Sequence, residues 1–405
     1  MEINLPNIIS VDDHVVEPPD LWTSRVPRKH KENAPRLERH RMSLDVLAGG
    51  VMKWRDASDG TNWADVWTFE DVRMPLTNTY AAAGIRGLEV QAVTLDDYPL
   101  ASWIQADRLK AMDLNGVDAS VCFPNTIPRF CGQTFLEGKD KELGLECVRA
   151  YNDWITDEWC AGAGTGRLIP VTIIPLWSPE LAAAEIRRCA GKGSFAITFP
   201  ENPVPLGLPS VHDTNRFWDP VFATCAELDV VVCMHIGSSS KLPTTSPDAP
   251  WIITSLLMFE NSVGSLCDFL FSGVLDRFPG LKLAYAEGQA GWMPYVLERA
   301  DKFWHERANN AFGSSLANPP STYMAGRIYS CIFDDLTGLY NRESIGMSQL
   351  CFEVDYPHVD STFPHSKTVL RDLALQAGLN DSEVYQFARG NAVQAFGLGR
   401  FGWDS

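Results

Sequence analysis

The sequence predicts an α/β protein built as a (β/α)8 TIM-type barrel with a long insertion after strand 1, and three observations predict it. Eight short runs rich in β-branched residues recur along the chain, amphipathic stretches of helical period lie between most of them, and the runs are apolar on both faces. Strands of that kind, alternating with helices, belong to a parallel sheet covered by helices, and eight of them suggest a closed barrel.

The runs fall at 7–13 (NIISVDD), 117–123 (VDASVCF), 168–175 (LIPVTIIP), 194–200 (SFAITFP), 229–235 (DVVVCMH), 281–286 (LKLAYA), 328–333 (IYSCIF) and 349–355 (QLCFEVD). Helical patterns precede or separate them at 104–115, 140–160, 179–190, 216–228, 260–277, 292–308, 366–376 and 382–397. The insertion, residues 18–103, carries Pro, Asp, Arg and four tryptophans (Trp22, Trp54, Trp63, Trp67) without a clear period. A segment that long reads as a lid or subdomain rather than a bare loop. A second insertion follows the fifth run at about 236–259. Neither shows a sharp break in composition, so residues 1–405 are read as one domain.

Composition narrows the function. The chain has 405 residues, 45% hydrophobic and 21% charged, enough for a sizeable core. Its formal charge of −17 comes from 51 acidic against 34 basic residues with no Lys/Arg cluster, which argues against nucleic acid and anionic membrane as partners. The ten cysteines form no CxxC pair and several sit in apolar runs, as expected of reduced packing residues in a cytoplasmic protein. The N-terminus has no signal-peptide pattern, and no apolar stretch reaches ~18 residues.

In a barrel of this kind the active site forms where the strands end. Those ends supply Asp12-Asp13-His14 with Glu17 beyond, Glu201-Asn202, His235, Glu287, Asp334-Asp335, and Asp355 with His358. Alternate strand residues share a face, so Asp12 and His14 reach one ion together while Asp13 faces away. Imidazole with carboxylate suits Zn²⁺, Mn²⁺ or Fe²⁺, with an open position for a water. The metal ligands are therefore read as Asp12, His14, His235 and Asp355, with Glu17 and Glu201 as further candidates. A single histidine after an apolar strand is usually a packing residue; here the group decides. Glu17 also reads as a turn cap before Pro18-Pro19, and Asp334-Asp335 as a helix N-cap. A GxGxxG string at Gly397 to Gly402 follows a helix and lacks the strand–loop–helix context of a dinucleotide site. No GxSxG elbow or P-loop occurs.

ISVDDHVVEPPDLW, MDLNGVDASVCFPN, CMHIGSSS, LDRFPGLKLAYAEGQAGWMPYVLERAD, CFEVDYPHVDSTFPHS and GNAVQAFGL together resemble the amidohydrolase-related (amidohydrolase 2) family of the metal-dependent amidohydrolase superfamily. The likeness spans nearly the whole chain except much of 24–100. It implies a (β/α)8 barrel with one or two divalent ions, ligands from strands one, five and eight, and substrates polarised at a carbonyl or carboxylate. The strand-one pair maps to Asp12 and His14, the strand-five histidine to His235 and the strand-eight aspartate to Asp355. Two departures stand out: Asp12 replaces the first histidine of the HxH pair, and Glu287 replaces the strand-six histidine. Extra carboxylates at Glu287 and Glu201 favour a harder, even binuclear, centre of iron or manganese over zinc.

The first expectation is hydrolysis of an amide, ester or thioester of a bulky apolar or aromatic small molecule. A metal-activated water would attack the carbonyl, with Asp355 as proton carrier, Glu287 or Glu17 orienting the water or holding a second ion, and His358 as a neighbouring donor. The insertion's tryptophans would wall the substrate, and Lys53, Arg55, Arg73 or Arg86 would meet a coenzyme A thioester. The alternative is a non-oxidative decarboxylase or C–C hydrolase of an aromatic acid, with ring protonation by Asp355. No strand end supplies an arginine for the carboxylate, which favours hydrolysis. A barrel that only binds ligand is the third reading. The insertion is equally compatible with a homodimer interface.

Overall fold

The computed structural model describes residues 4–46, 52–57, 62–307 and 316–404. All eight anticipated runs are strands: β1 (Ile8–Val15), then, after four strands of the insertion, β6 (Val117–Pro124), β7 (Leu168–Pro170), β8 (Ala196–Thr198), β9 (Val231–His235), β10 (Lys282–Ala286), β11 (Ile328–Ile332) and β12 (Leu350–Phe352). They form two parallel sheets, β1-β6-β7 and β12-β11-β10-β9-β8.

Backbone contacts join the sheets at both edges. Thr172 bridges Ile197 in parallel, and at the other seam the Asp355 N–H donates to the Asp12 carbonyl (2.8 Å) and the His14 N–H to the Tyr356 carbonyl (2.7 Å). β7 and β8 are shorter than expected because Pro170 and Pro200 cannot donate to a ladder. β12 stops before Asp355, which lies in the left-handed region (φ 57°).

The strands bury two layers. Ile9, Val11, Val121, Val231 and Cys233 face inward with Phe396 and Leu398, while alternate residues such as Ile8, Cys122, Val232 and Met234 pack outward against the helices. Helices occupy the expected stretches, among them Gln105–Asn115, Lys141–Trp154, Pro179–Ala190, Glu260–Phe271, Met293–Arg307 and Ser366–Ala377. The expected 292–308 helix reaches residue 308, outside the described residues. Gly397 to Gly402 is a turn after the helix Asn391–Phe396.

The insertion is structured where the sequence showed no period. β2 (Arg36–Val46), β3 (Met52–Asp56), β4 (Asn62–Phe69) and β5 (Val72–Pro75) make an antiparallel sheet in the order β3-β2-β4-β5. Trp22 and Trp67 are fully buried, edge to face at 5.1 Å, with the Trp22 indole donating to the Cys147 carbonyl. They fasten the insertion to the helix Lys141–Trp154 instead of walling a substrate. All ten cysteines are free. Among the described residues no helix is long and apolar enough to cross a membrane.

Candidate metal centre

Four strand ends converge. Asp12 and His14 lie on the same face of β1, His235 ends β9, and Asp355 follows β12; all four are at most 1% exposed. The His14 Nδ1 lies 3.0 Å from the Pro124 carbonyl and the His235 Nδ1 2.8 Å from the Ile236 carbonyl. A carbonyl only accepts, so each Nδ1 carries the proton and each Nε2 is left to accept or ligate.

Those two Nε2 atoms face each other at 3.1 Å. The His14 Nε2 is 3.5 Å from Asp12 Oδ1 and 3.5 Å from Asp355 Oδ1, and the His235 Nε2 is 3.3 Å from Asp12 Oδ2 and 3.8 Å from Glu287 Oε2. Two lone-pair nitrogens turned toward each other amid carboxylates is unstable without a cation between them. All four carboxylate oxygens of Asp12 and Asp355 are buried with no regular hydrogen bond; the groups that approach them are histidine nitrogens, His235 Nε2 at 3.3 Å from Asp12 Oδ2 and His358 Nδ1 at 3.0 Å from Asp355 Oδ1. The donor set therefore fits a divalent ion, and the candidate triads are Asp12–His14–His235, His14–Asp355–His358 and Asp12–Glu287–Asp355, each with ligand atoms within 4.8 Å of one another.

The electrostatics describe the same deficit. Burial pushes the Asp355 carboxyl well above its ordinary range, and Asp12 pushes it further. Burial does the same to Glu287, joined by the charge of Asp355, and to Glu353, joined by Asp12. Burial also holds His14 far below the usual imidazole value. Burial alone would lower His235 too, but Asp12 and Glu287 outweigh it and raise it to about 10, which reports the surplus of negative charge that a cation bound at Nε2 would offset.

The surroundings orient these ligands. Asp13 faces away, as its position predicts: it accepts from the Tyr356 N–H at 2.8 Å and from the Ser120 hydroxyl, near Arg108. Arg108 is fully buried and donates to the His14 carbonyl at 2.5 Å. Phe130 lies flat on His235 (4.3 Å, 9°), and His358 stacks on His14 (3.9 Å) with its Nδ1 3.0 Å from Asp355 Oδ1. An open cleft of about 810 Å³, walled by Ile236, Phe259, Trp292 and Phe333, reaches the centre at Glu287.

Glu17 and Glu201 stand outside the converging groups. Glu17 accepts from the Asn125 N–H (2.9 Å), the Thr126 N–H (3.0 Å) and the Thr126 hydroxyl, which makes it a buried tie between the loops after β1 and β6. Glu201 accepts from Ser262 at 2.7 Å, with burial raising its carboxyl to about 8. Asp335 caps the helix Leu336–Tyr340 and holds the 290–291 amides, while Asp334 lines the cleft. Arg55 and Arg73 pair with Asp45 and Asp56 on the insertion sheet; neither they nor Lys53 nor Arg86 lines the cleft.

Strand-end reasoning missed three residues. Glu353, fully buried, lies two residues before Asp355 and accepts the Glu287 N–H at 3.1 Å; the two-residue spacing was its signal. Phe130, on a loop, and Tyr80, in the short 3-10 helix Asn78–Ala81 and 6.3 Å from the His358 ring, had no period to signal them.

A profile of the amidohydrolase family matches residues 63–398. Among curated proteins, the chain is 22% identical over 305 residues to a 2-amino-3-carboxymuconate-6-semialdehyde decarboxylase from Dictyostelium discoideum, covering 72% of this chain and 76% of that protein. It is 24% identical over 333 residues to a gamma-resorcylate decarboxylase from Rhodococcus jostii, covering 77% and 91%. Among solved structures, an amidohydrolase from Mycobacterium avium subsp. paratuberculosis matches with a TM-score of 0.71 at 20% identity, over 96% of this chain and 99% of that one. A dihydroxybenzoic acid decarboxylase from a Polaromonas species, with bound manganese and the inhibitor 2-nitroresorcinol, matches with a TM-score of 0.61 at 16% identity over 98% of each. These likenesses imply a TIM-barrel-type α/β fold. Both curated relatives are named for loss of CO₂, which overturns the expectation that water attacks an amide, ester or thioester here.

Proposed function

The chain belongs to the amidohydrolase family, and from that premise we propose that it is a metal-dependent, non-oxidative decarboxylase of an aromatic acid. The observation that carries the choice of reaction is that its curated relatives, matched over 72% and 77% of the chain, are decarboxylases. Asp12, His14, His235 and Asp355 would hold one divalent ion, and His358 would fix Asp355 through the 3.0 Å contact. A bound ion would supply the positive charge that anchors the substrate's carboxylate, which answers the lack of an arginine at the strand ends.

In this reading Asp355, in its acid form, donates a proton to the ring carbon that bears the carboxylate. The C–C bond then breaks, its electron pair restores the aromatic ring, CO₂ leaves, and solvent reprotonates Asp355. The apolar walls of the cleft hold the ring and exclude water from it. The same reading treats the two parallel sheets as one closed eight-stranded barrel, the 18–103 insertion as its subdomain, and the protein as a cytoplasmic enzyme able to form a homodimer.

The test is release of CO₂ from 2,6-dihydroxybenzoate and other hydroxybenzoates by manganese-loaded protein in D₂O. Product carrying deuterium at the vacated carbon, abolished by a chelator and by Asp355→Asn, is the expected result. No CO₂ from any of these acids with metal bound would overturn the reading.

A further inference from the structure

The cleft that reaches the centre at Glu287 is larger than a one-ring acid needs. Its volume is about 810 Å³. Clefts of about 300–1,000 Å³ enclose drug-sized ligands. A single ring whose carboxylate is anchored at the centre fills the inner end and leaves the outer part to water.

The outer part is apolar. Leu256 and Phe259 come from the segment after β9, Trp292 from the turn after β10, and Phe333 directly follows β11. The Trp292 indole donates to the Gly288 carbonyl at 2.8 Å, which fixes that ring in the wall. Leu256 is 66% exposed, and Ile252, one turn earlier on the helix Trp251–Leu257, is 70% exposed. Residues four apart share a helix face, so the apolar wall continues out of the cleft from Leu256 to Ile252. Contiguous apolar surface left in water at the mouth of a cleft marks a groove that a ligand covers.

The charge of the cleft has one sign. Its ionisable lining residues are Glu287, Asp334, Asp335 and Asp360, and among the described residues no lysine, arginine or histidine lines it. Asp335 is taken up by the amides of Ala290, Gly291 and Gly338. Burial, and then the charges of Asp335 and Asp360, raise the Asp334 carboxyl above its ordinary value. A second anionic group in the outer cleft would meet like charge with no counter-charge on the wall.

We propose that Leu256, Phe259, Trp292 and Phe333 form a subsite for a second, uncharged apolar ring of the substrate, and that Asp334 and Asp360 exclude acids bearing a second carboxylate there. The substrate class is an aromatic monocarboxylic acid extended by an apolar ring. The inference deepens the decarboxylase reading and rests on its placement of an aromatic carboxylate at the centre. Contacts this far from the reacting carbon are equal in the ground and transition states, so they lower KM and leave kcat in place.

The test compares three acids with one head. Salicylate, 4-phenylsalicylate and 2-hydroxyterephthalate carry hydrogen, a phenyl ring and a carboxylate at the carbon para to the reacting carboxylate. Quenching of tryptophan fluorescence on rapid mixing with manganese-loaded protein measures binding ahead of turnover, and CO₂ release gives KM and kcat. The phenyl compound should bind about tenfold or more tighter than salicylate and the dicarboxylate about tenfold or more weaker, with the difference carried by KM. Leu256→Ser should erase most of the phenyl advantage, and Asp334→Asn with Asp360→Asn should relieve the penalty on the dicarboxylate. Leu114→Ser, which changes a leucine 85% exposed on the helix Gln105–Asn115 and outside the cleft, should keep the parent's ratios. Equal affinity for the three acids, or a phenyl advantage that Leu256→Ser leaves intact, overturns the subsite and leaves the decarboxylase reading standing. The expected order of binding without CO₂ from any acid overturns the decarboxylase reading and keeps the subsite. No binding of any of the three overturns the placement of the acid at the centre and the subsite with it.

Discussion

The antiparallel sheet of the insertion and the candidate centre are rich in the same acids, arranged oppositely. On the sheet, Asp65 pairs with Arg39, Asp45 with Arg55 and Asp56 with Arg73, and the three arginines are about half exposed. At the centre, Asp12, Glu353 and Asp355 are fully buried, and no arginine or lysine among the described residues reaches them. A carboxylate paired in water is nearly neutral in its effect on stability, whereas a buried one without a counter-charge is a deficit that something other than the chain must offset. The difference teaches that a site in this protein is marked by what the fold leaves unsatisfied, not by how many charged residues a segment holds.

The sharpest way to break that comparison is His235→Ala. It removes one Nε2 from the Asp12–His14–His235 set and the Phe130–imidazole stack. Metal should be lost on dialysis, and decarboxylation should fall by about 10³-fold or more, since the ion's charge stabilisation is worth several kcal/mol. Far-ultraviolet circular dichroism should stay native, because the remaining core is untouched. A variant that keeps both metal and rate would mean that the unsatisfied groups are not a site.

How much of this was legible follows from period and position. The eight strands were readable because a strand buried on both faces shows as a continuous apolar run, and Asp12, His14, His235 and Asp355 because they end such runs. Glu353 was hidden because it lies inside the 349–355 run and does not end it, although alternation along that run puts it on the face of Asp355. Phe130 follows Arg129, itself in the left-handed region (φ 55°), on a loop where no periodicity operates. The insertion's strands hid for another reason: β2, RLERHRMSLDV, carries charges along its length and gives no apolar alternation to read. The reaction was misjudged because metal ligands alone do not distinguish attack by water from loss of CO₂.

Glu201 lies between the two extremes and sharpens the contrast. It follows the end of β8 by three residues, and one of its oxygens is satisfied by Ser262 while the other is not. Burial raises its carboxyl from 4.5 to about 8, against the smaller opposing effects of the Ser262 hydroxyl and His235. With the folded value above the unfolded one, its contribution to stability is fully present below about pH 4.5 and is lost as pH rises to about 8. Glu201→Gln, which cannot ionise, should therefore gain stability relative to the parent across that window, on the order of a few kcal/mol at most. Urea unfolding of both proteins at pH 5, 7 and 9 with chelator present measures it, and a pH-independent difference would show that Glu201 does not titrate as its burial requires.

The smallest effects belong to the sheet. Asp65 accepts from the Arg39 Nε at 2.8 Å and Nη2 at 3.0 Å and from the Leu95 N–H at 2.8 Å, with its side chain 9% exposed. Asp65→Ala strands that amide, while the half-exposed Arg39 keeps Asp96 at 3.2 Å, and should cost about 1–3 kcal/mol of stability. Arg55→Ala breaks an exposed pair and should cost less than about 1 kcal/mol. Neither should change manganese stoichiometry, because the route from this sheet to the centre runs through neutral backbone contacts. Those contacts are the Leu76 N–H to the Asp65 carbonyl, the Val359 N–H to the Thr79 carbonyl and the Ala83 N–H to the Pro357 carbonyl. Those bonds fix the loop that carries His358 without passing charge to it. If Asp65→Ala nevertheless weakened manganese binding, the sheet would have to be counted as part of the site, and paired surface charge could no longer be separated from the buried deficit at the centre.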